Sequence, residues 1–237
     1  MKTSVVFLPG LLCDTQLWQP QIVGLGQSIE PWVADLMRDD SIAGMARRAL
    51  AEAPFPKFAL AGLSMGGIVA MEIMRQAPER VERLALLDTQ ARPETPEARE
   101  RRLALIALAE KGEFANASDQ MLFLFVHSSR HTDAPLVDLV RDMAKNVGKD
   151  AFLRQQKALM ERPDSRDTLR KIRCPTLVLC GEHDLLTPRD RHEEIAAAIG
   201  GAKLVVLPGC GHLSTLEKPL EVNRALSAWL GLAKLAG

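Results

Sequence analysis

The chain has 237 residues, and its 30 lysines and arginines balance 30 aspartates and glutamates to a formal net charge of zero. A 47% hydrophobic and 25% charged composition, with 16 glycines and 14 prolines, excludes a disordered, collagen-like or low-complexity chain. The charge balance also argues against nucleic acid as a partner, because phosphate binding needs clustered cations.

The densest basic run, at 99–102, is flanked by Glu94, Glu97 and Glu110 and reads as a solvated helix face. The length suits one domain with room for an insertion, burying roughly 70% of its unfolded surface without disulfides or metal. No run approaches the ~18 apolar residues of a membrane span. The apolar start is cut by Pro9-Gly10 and lacks a small-residue cleavage site, so no signal peptide is expected. Cys13, Cys174, Cys180 and Cys210 are dispersed, which predicts reduced thiols and a cytoplasmic protein.

Taken in chain order, Thr3–Leu8 is a β-branched, apolar strand that stops at Pro9-Gly10. A weaker strand is expected over 29–36. Asp39-Asp40-Ser41 caps a helix over 42–53 that ends before Pro54. A strand over 57–63 closes in a glycine-rich turn, and a helix follows over 68–76. Strands over 81–87, 175–180 and 203–207 complete the pattern, with helices over 188–199 and 220–232. Strands that are continuous apolar runs, alternating with helices, predict an α/β fold with a parallel sheet of about six strands covered on both faces.

The stretch 92–164 breaks the rhythm. Thr95 and Pro96 open a helix that closes at Gly112, and further helices are expected over 114–127, 136–147 and 150–162. It reads as a helical insertion (92–164) in a core made of 1–91 and 165–237. His127 and His131, with Asp133 near, have metal-ligand spacing but no further ligand, so the segment reads as polar surface and no metal is expected.

The chemistry concentrates in Gly62-Leu63-Ser64-Met65-Gly66-Gly67. A turn this tight from strand to helix strains the serine backbone, and Gly62 and Gly66 remove the bulk around it. Ser64 Oγ would then stand at the C-terminal end of its strand, beside helix-start N–H groups that favour negative charge. A serine hydroxyl needs a base in contact. His212, in Pro-Gly-Cys-Gly-His directly after the last strand, leaves the sheet at the same edge. The base needs a carboxylate to orient it. Asp184 follows the 175–180 strand and is preferred over Glu182 and Asp190; Asp88, at the end of the 81–87 strand, is its strongest rival.

The order Ser64, Asp184, His212, with Phe-Leu-Pro-Gly at 7–10, Gly-Glu-His-Asp-Leu-Leu-Thr-Pro at 181–188 and Gly-Cys-Gly-His at 209–212, resembles the α/β-hydrolase superfamily over nearly the whole chain. The resemblance implies a serine-nucleophile esterase or lactonase whose inserted helices form a cap. It implies an oxyanion hole made by the backbone N–H groups of Met65 and Leu11, in a loop where many relatives have His-Gly before the donor and this chain has Pro9-Gly10. No cofactor is implied. Leu12, Leu185 and Leu213 flank the catalytic positions, and Phe123 and Phe125 of the cap are expected to face the pocket. Met121, Met143, Phe152 and Met160 are further candidates for that face. Cys13 reads as a buried or pocket-wall thiol.

The expected activity is hydrolysis of a small, mainly apolar ester, thioester or lactone through an acyl-enzyme, with a neutral substrate preferred because no cation adjoins the triad in sequence. A C–C bond hydrolase or enol-lactonase is the alternative within the fold, and a ligand-sensing receptor the alternative outside enzymes. Relatives carry two strands before the Phe-Leu-Pro-Gly strand; their place at the sheet edge is open to a partner, which suggests a homodimer.

Overall fold

A computed structural model describes residues 2–232. Residue 1 and residues 233–237, the two ends of the expected core range, lie outside the described residues. The sheet has six parallel strands: β1 (Thr3–Leu8), β2 (Ile29–Val33), β3 (Phe58–Leu63), β4 (Val81–Leu87), β5 (Thr176–Gly181) and β6 (Lys203–Leu207), in the spatial order β2-β1-β3-β4-β5-β6. The order reverses between β2 and β3 around β1, so a crevice opens beyond the carboxyl ends of β1 and β3, where α/β sheets bind ligands. β3 is buried at every residue, as a central parallel strand must be.

β2 is shorter than the sequence reading, which runs it to residue 36. Its register leaves Glu30 and Pro31 exposed on the edge. A proline and a charge there blunt the edge against further strand pairing.

The helices, in chain order, are α1 (Gln19–Leu25), α2 (Ile42–Glu52), α3 (Met65–Gln76), α4 (Pro96–Glu110), α5 (Phe114–Phe125), α6 (Ala134–Met160), α7 (Arg166–Leu169), α8 (Arg189–Ala198), α9 (Ser214–Glu217) and α10 (Pro219–Leu230). The Ser41 hydroxyl accepts the Gly44 N–H at the start of α2, and Thr95 caps α4 through the Ala98 N–H. α2 buries Ile42, Met45, Ala46 and Ala49, a one-sided stripe against α3. α1 and α10 pack on each other, and α8 lies on β5 and β6.

Four differences from the sequence reading have physical reasons. α3 begins at Met65, three residues before the expected start, because the helix opens directly out of the serine turn. α1, preceded by a 3-10 turn over Thr15–Trp18, was not expected; its Gln-Pro-Gln-Ile-Val-Gly-Leu sequence lacks clear periodicity, and it is held by Gln21, whose amide donates to the Thr215 carbonyl. α5 ends at Phe125 instead of 127, where the chain turns extended and the His127 N–H is taken by the Glu217 carboxylate. α6 contains the two helices expected over 136–147 and 150–162, joined at Gly148, whose φ of 73° is non-helical.

α4, α5 and α6 lie between β4 and β5 and pack on one another. The start of α3 meets β1 with no room to spare: a Cβ on Gly66 would lie 2.1 Å from the Leu8 carbonyl oxygen, and one on Gly62 would lie 2.3 Å from the Gly66 carbonyl oxygen. Gly200 faces open space. Gly66→Ala is therefore expected to cost about 3 kcal/mol in urea unfolding, the upper range of overpacking, whereas Gly200→Ala should stay within about 1 kcal/mol of the parent.

Candidate active site

Three non-glycine residues have positive φ among the described residues: Leu12 at 60°, Ser64 at 55° and Asp88 at 45°. They end or follow β1, β3 and β4, so all three sit at one edge of the sheet. Such backbone costs of order 1–3 kcal/mol per residue and persists only where its surroundings over-determine it.

Ser64 is held on both sides. Its N–H donates to the Leu87 carbonyl at 2.9 Å, and its carbonyl accepts from Thr89 Oγ1 at 2.7 Å. Its side chain is free to face the site, and Ser64 Oγ lies 2.8 Å from His212 Nε2. His212 Nδ1 lies 2.7 Å from Asp184 Oδ2. A carboxylate only accepts, so the Nδ1 proton points to Asp184 and the Nε2 lone pair points to the serine hydroxyl.

Asp184 is saturated with donors. Oδ1 accepts the N–H groups of Leu186 and Thr187, each at 2.9 Å, and Oδ2 accepts Thr187 Oγ1 at 2.6 Å as well as the histidine. Burial works against its charge, but His212 and the Thr187 donors prevail and hold the carboxyl below its ordinary range. Burial likewise works against the His212 imidazolium, and the Asp184 carboxylate outweighs it, so the histidine pKa is raised. The His212 ring stacks on Phe125, with centroids 5.8 Å apart and planes 17° apart.

The rival Asp88 is at the same edge and wholly buried, but it faces other groups. Oδ1 accepts the Gly181 N–H at 3.0 Å, and Oδ2 accepts the Ser214 N–H and, at 2.5 Å, its hydroxyl. It therefore braces the end of β5 and the residue two beyond His212. Burial, then the Asp184 charge, push it up to about 8. Next to it the buried His192 accepts the Thr89 N–H at Nε2, and burial pulls its pKa down to about 4.

Leu11 and Leu12 form the turn after β1, closed by the Cys13 N–H on the Gly10 carbonyl at 3.2 Å. The Leu12 N–H donates to Gln155 Oε1 of α6 at 3.2 Å. Among the described residues the N–H groups of Leu11 and Met65 have no protein acceptor. Cys13 is buried, its thiol donates to the Leu11 carbonyl, and burial pushes it up to about 12, so it is inert packing.

Of the expected pocket residues, Leu12, Phe125 and Leu213 are buried beside these groups. Phe123 and Leu185 are not brought there. Phe123 is 51% exposed, with its ring edge-on to His131, because residues two apart on a helix face opposite sides. Leu185, at the tip of the Asp184 turn, is 70% exposed. Met121, Met143 and Phe152 are buried in the helical insertion, and Met160 is only partly buried. His127 and His131 separate: the first bonds Ser129 and the second the Val126 carbonyl, while Asp133 pairs with Arg130. No group of three metal-ligating side chains occurs among the described residues.

Several supporting residues escape the sequence reading. Thr187 had a signal, since an acid three residues ahead of a threonine can cap its own turn. Glu217 had none: it is buried and holds the Gly211 and His127 N–H groups on its two oxygens, tying the histidine loop to the insertion. The Phe125 carbonyl adds to that tie by accepting the N–H groups of both His212 and Leu213.

This arrangement of a parallel sheet, a serine on a strained strand-to-helix turn and a buried His–Asp pair on two later loops defines a class. Residues 7–219 match the alpha/beta hydrolase fold model, and the chain belongs to that family. Over 206 residues it is 30% identical to the "putative carbamate hydrolase RutD" of Pseudomonas savastanoi pv. phaseolicola, covering 83% of this chain and 78% of that protein. A thermophilic esterase from Thermogutta terrifontis superposes with a TM-score of 0.88 at 29% identity, over 98% of this chain and 90% of that one. The enol-lactonase of Burkholderia xenovorans shares the fold at the same TM-score of 0.88 and 22% identity, over 98% and 92% of the two chains. The protein is a hydrolase of this family, and no helix among its described residues is long and apolar enough to cross a membrane.

The electrostatics are open to direct titration. By histidine NMR, His192 should titrate near 4 and His212 above the ordinary value of about 6.5. In Asp184→Asn the His212 midpoint should fall, because the charge that stabilises the imidazolium is gone.

Proposed function

We propose that the protein is a serine hydrolase of small, mainly apolar carboxylic esters, thioesters or lactones, working through an acyl-enzyme. The observation that carries the reading is the hydrogen-bonded line Ser64 Oγ, His212 Nε2, His212 Nδ1, Asp184 Oδ2, with steps of 2.8 and 2.7 Å. Ser64 attacks the substrate carbonyl as His212 takes its proton. Asp184 keeps the ring in the required tautomer and balances the imidazolium. The negative oxygen of the tetrahedral intermediate is received by the N–H groups of Leu11 and Met65, and each such donor is worth ~10²–10³ in rate. His212 then protonates the leaving group, and water activated by the same ring releases the acyl group.

Residues 92–164 act as a cap over the core of 1–91 and 165–237 in this reading. Leu12, Phe125 and Leu213 supply an apolar wall, which suits a neutral acyl group. A carbamate is the second substrate to consider, because similarity to the proteins named carbamate hydrolase extends over 98% of the chain. A carbamate carbonyl passes through the same tetrahedral geometry.

The test sets wild type beside Ser64→Ala on p-nitrophenyl esters from acetate to decanoate, a γ-lactone and an aryl carbamate. Wild type is expected to turn over at least one ester faster than about 1 s⁻¹, and Ser64→Ala to lose about 10⁴-fold or more. A fluorophosphonate should label Ser64 alone. Substantial turnover left in Ser64→Ala, or silence on all substrates together with no labelling, overturns the reading.

A further inference from the structure

We infer that Gln155, a residue of the insertion, is a positioning residue for the oxyanion hole: it holds the Leu12 peptide so that the Leu11 N–H is left facing the reacting carbonyl. The inference rests on the proposed serine mechanism and extends it to a side chain outside the core.

The turn at 10–13 has few internal restraints. One backbone bond closes it, and the Cys13 thiol reaches the Leu11 carbonyl at 3.4 Å. Of the two, only the thiol touches the peptide between Leu11 and Leu12, at its carbonyl, and a thiol is a weak donor. That peptide leads into a leucine with φ of 60°, a place in a turn that glycine or asparagine ordinarily occupies. Left to itself the peptide would rotate toward an ordinary conformation, carrying the neighbouring Leu11 N–H with it. Gln155 Oε1 prevents this by accepting the Leu12 N–H at 3.2 Å.

The glutamine is itself anchored. Its Nε2 donates to the Leu36 carbonyl beyond β2 at 3.3 Å, and the side chain is 0% exposed. Both ends of the amide are thus spent on core backbone, one on the loop after β1 and one on the segment after β2. Other polar contacts from the same helix to these loops are wetter. Asn146 reaches Asp14 and Lys157 reaches Asp40 at exposed positions, and Arg154 reaches the Met37 carbonyl at a half-buried one. Water can replace those bonds; it has no access to Gln155. The geometry makes the oxyanion donor depend on the seating of α6, so the cap, besides shaping the pocket, completes the catalytic apparatus.

A buried amide that merely satisfied two backbone groups would affect stability when removed and leave chemistry alone. The two roles separate in Gln155→Met, which keeps length and volume but loses both hydrogen bonds. With p-nitrophenyl butyrate, or the best ester found for wild type, kcat should fall about 10²-fold, the cost of misplacing one oxyanion donor, with KM within about threefold of wild type. The inhibition constant of a trifluoromethyl ketone, which forms a hemiketal oxyanion with Ser64, should rise by a similar factor. Lys157→Met, on the same helix, should leave both constants unchanged. Gln155→Glu retains an acceptor for the Leu12 N–H and should keep kcat within about tenfold of wild type; should Gln155→Met fail to fold, this variant decides.

A folded Gln155→Met enzyme with wild-type kcat and ketone affinity overturns the inference, as does a hundredfold loss in Gln155→Glu. Ser64→Ala, assayed alongside, keeps the two questions apart: if it stays active the serine mechanism itself fails, and if it is dead while Gln155→Met is normal only the role of Gln155 fails.

Discussion

The close approach of α3 to β1 is the constraint on which the site depends. Gly66 sits where its missing Cβ would strike the Leu8 carbonyl, and Gly62 sits under Gly66 in the same way. Because the two backbones touch, the chain must turn from β3 into α3 within one residue, and that residue is Ser64 with φ of 55°. The tight turn points the hydroxyl out of the sheet edge and leaves the Met65 N–H at the helix start. Thr89 packs against Gly67 and holds the Ser64 carbonyl, so the turn is locked from the β4 side as well. The strain is confined to one edge and balanced there by hydrogen bonds, as expected of a site that is preorganised instead of adaptable.

Two carboxyl groups share this edge with one histidine, and the structure gives them different work. Asp184 has four donors, one of them the imidazole. Asp88 has three, from Gly181 and Ser214, and braces the ends of the two loops that carry Asp184 and His212. Burial with a like charge nearby makes ionising both expensive, and the two are driven apart: the Asp184 carboxyl is held below its ordinary range and that of Asp88 is pushed up to about 8.

Much of this was legible in the sequence, because local chemistry specified it. Four of the six strands, β1, β3, β5 and β6, end within about a residue of where apolar runs meet glycine or proline, since burial on both faces demands such runs. Ser64, Asp184 and His212 were readable because each sits in a short pattern at a strand exit. What the sequence did not disclose depends on how separate segments meet. Phe123 and Phe125 look alike on paper, and only docking of α5 decides that the second stacks on His212 while the first faces solvent. Gln155 and Glu217 are ordinary polar residues of helices, and the contacts that single them out, to the Leu12 and His127 N–H groups, reach more than 80 residues along the sequence. α1 was missed because it gains its order from Thr215 and Asn223 at the far end of the chain.

The ties between the histidine loop and the insertion have a consequence for how this scaffold changes over evolution. The Phe125 carbonyl accepts the N–H groups of His212 and Leu213, and the Glu217 carboxylate joins Gly211 to His127. The segment between β4 and β5 is thus no free-standing cassette. A foreign segment spliced in at this point would have to arrive with a carbonyl at the height of Phe125 and an amide at that of His127, or His212 would lose its footing. New specificities on this scaffold are therefore more readily reached by point changes within the existing helices than by wholesale exchange of the segment.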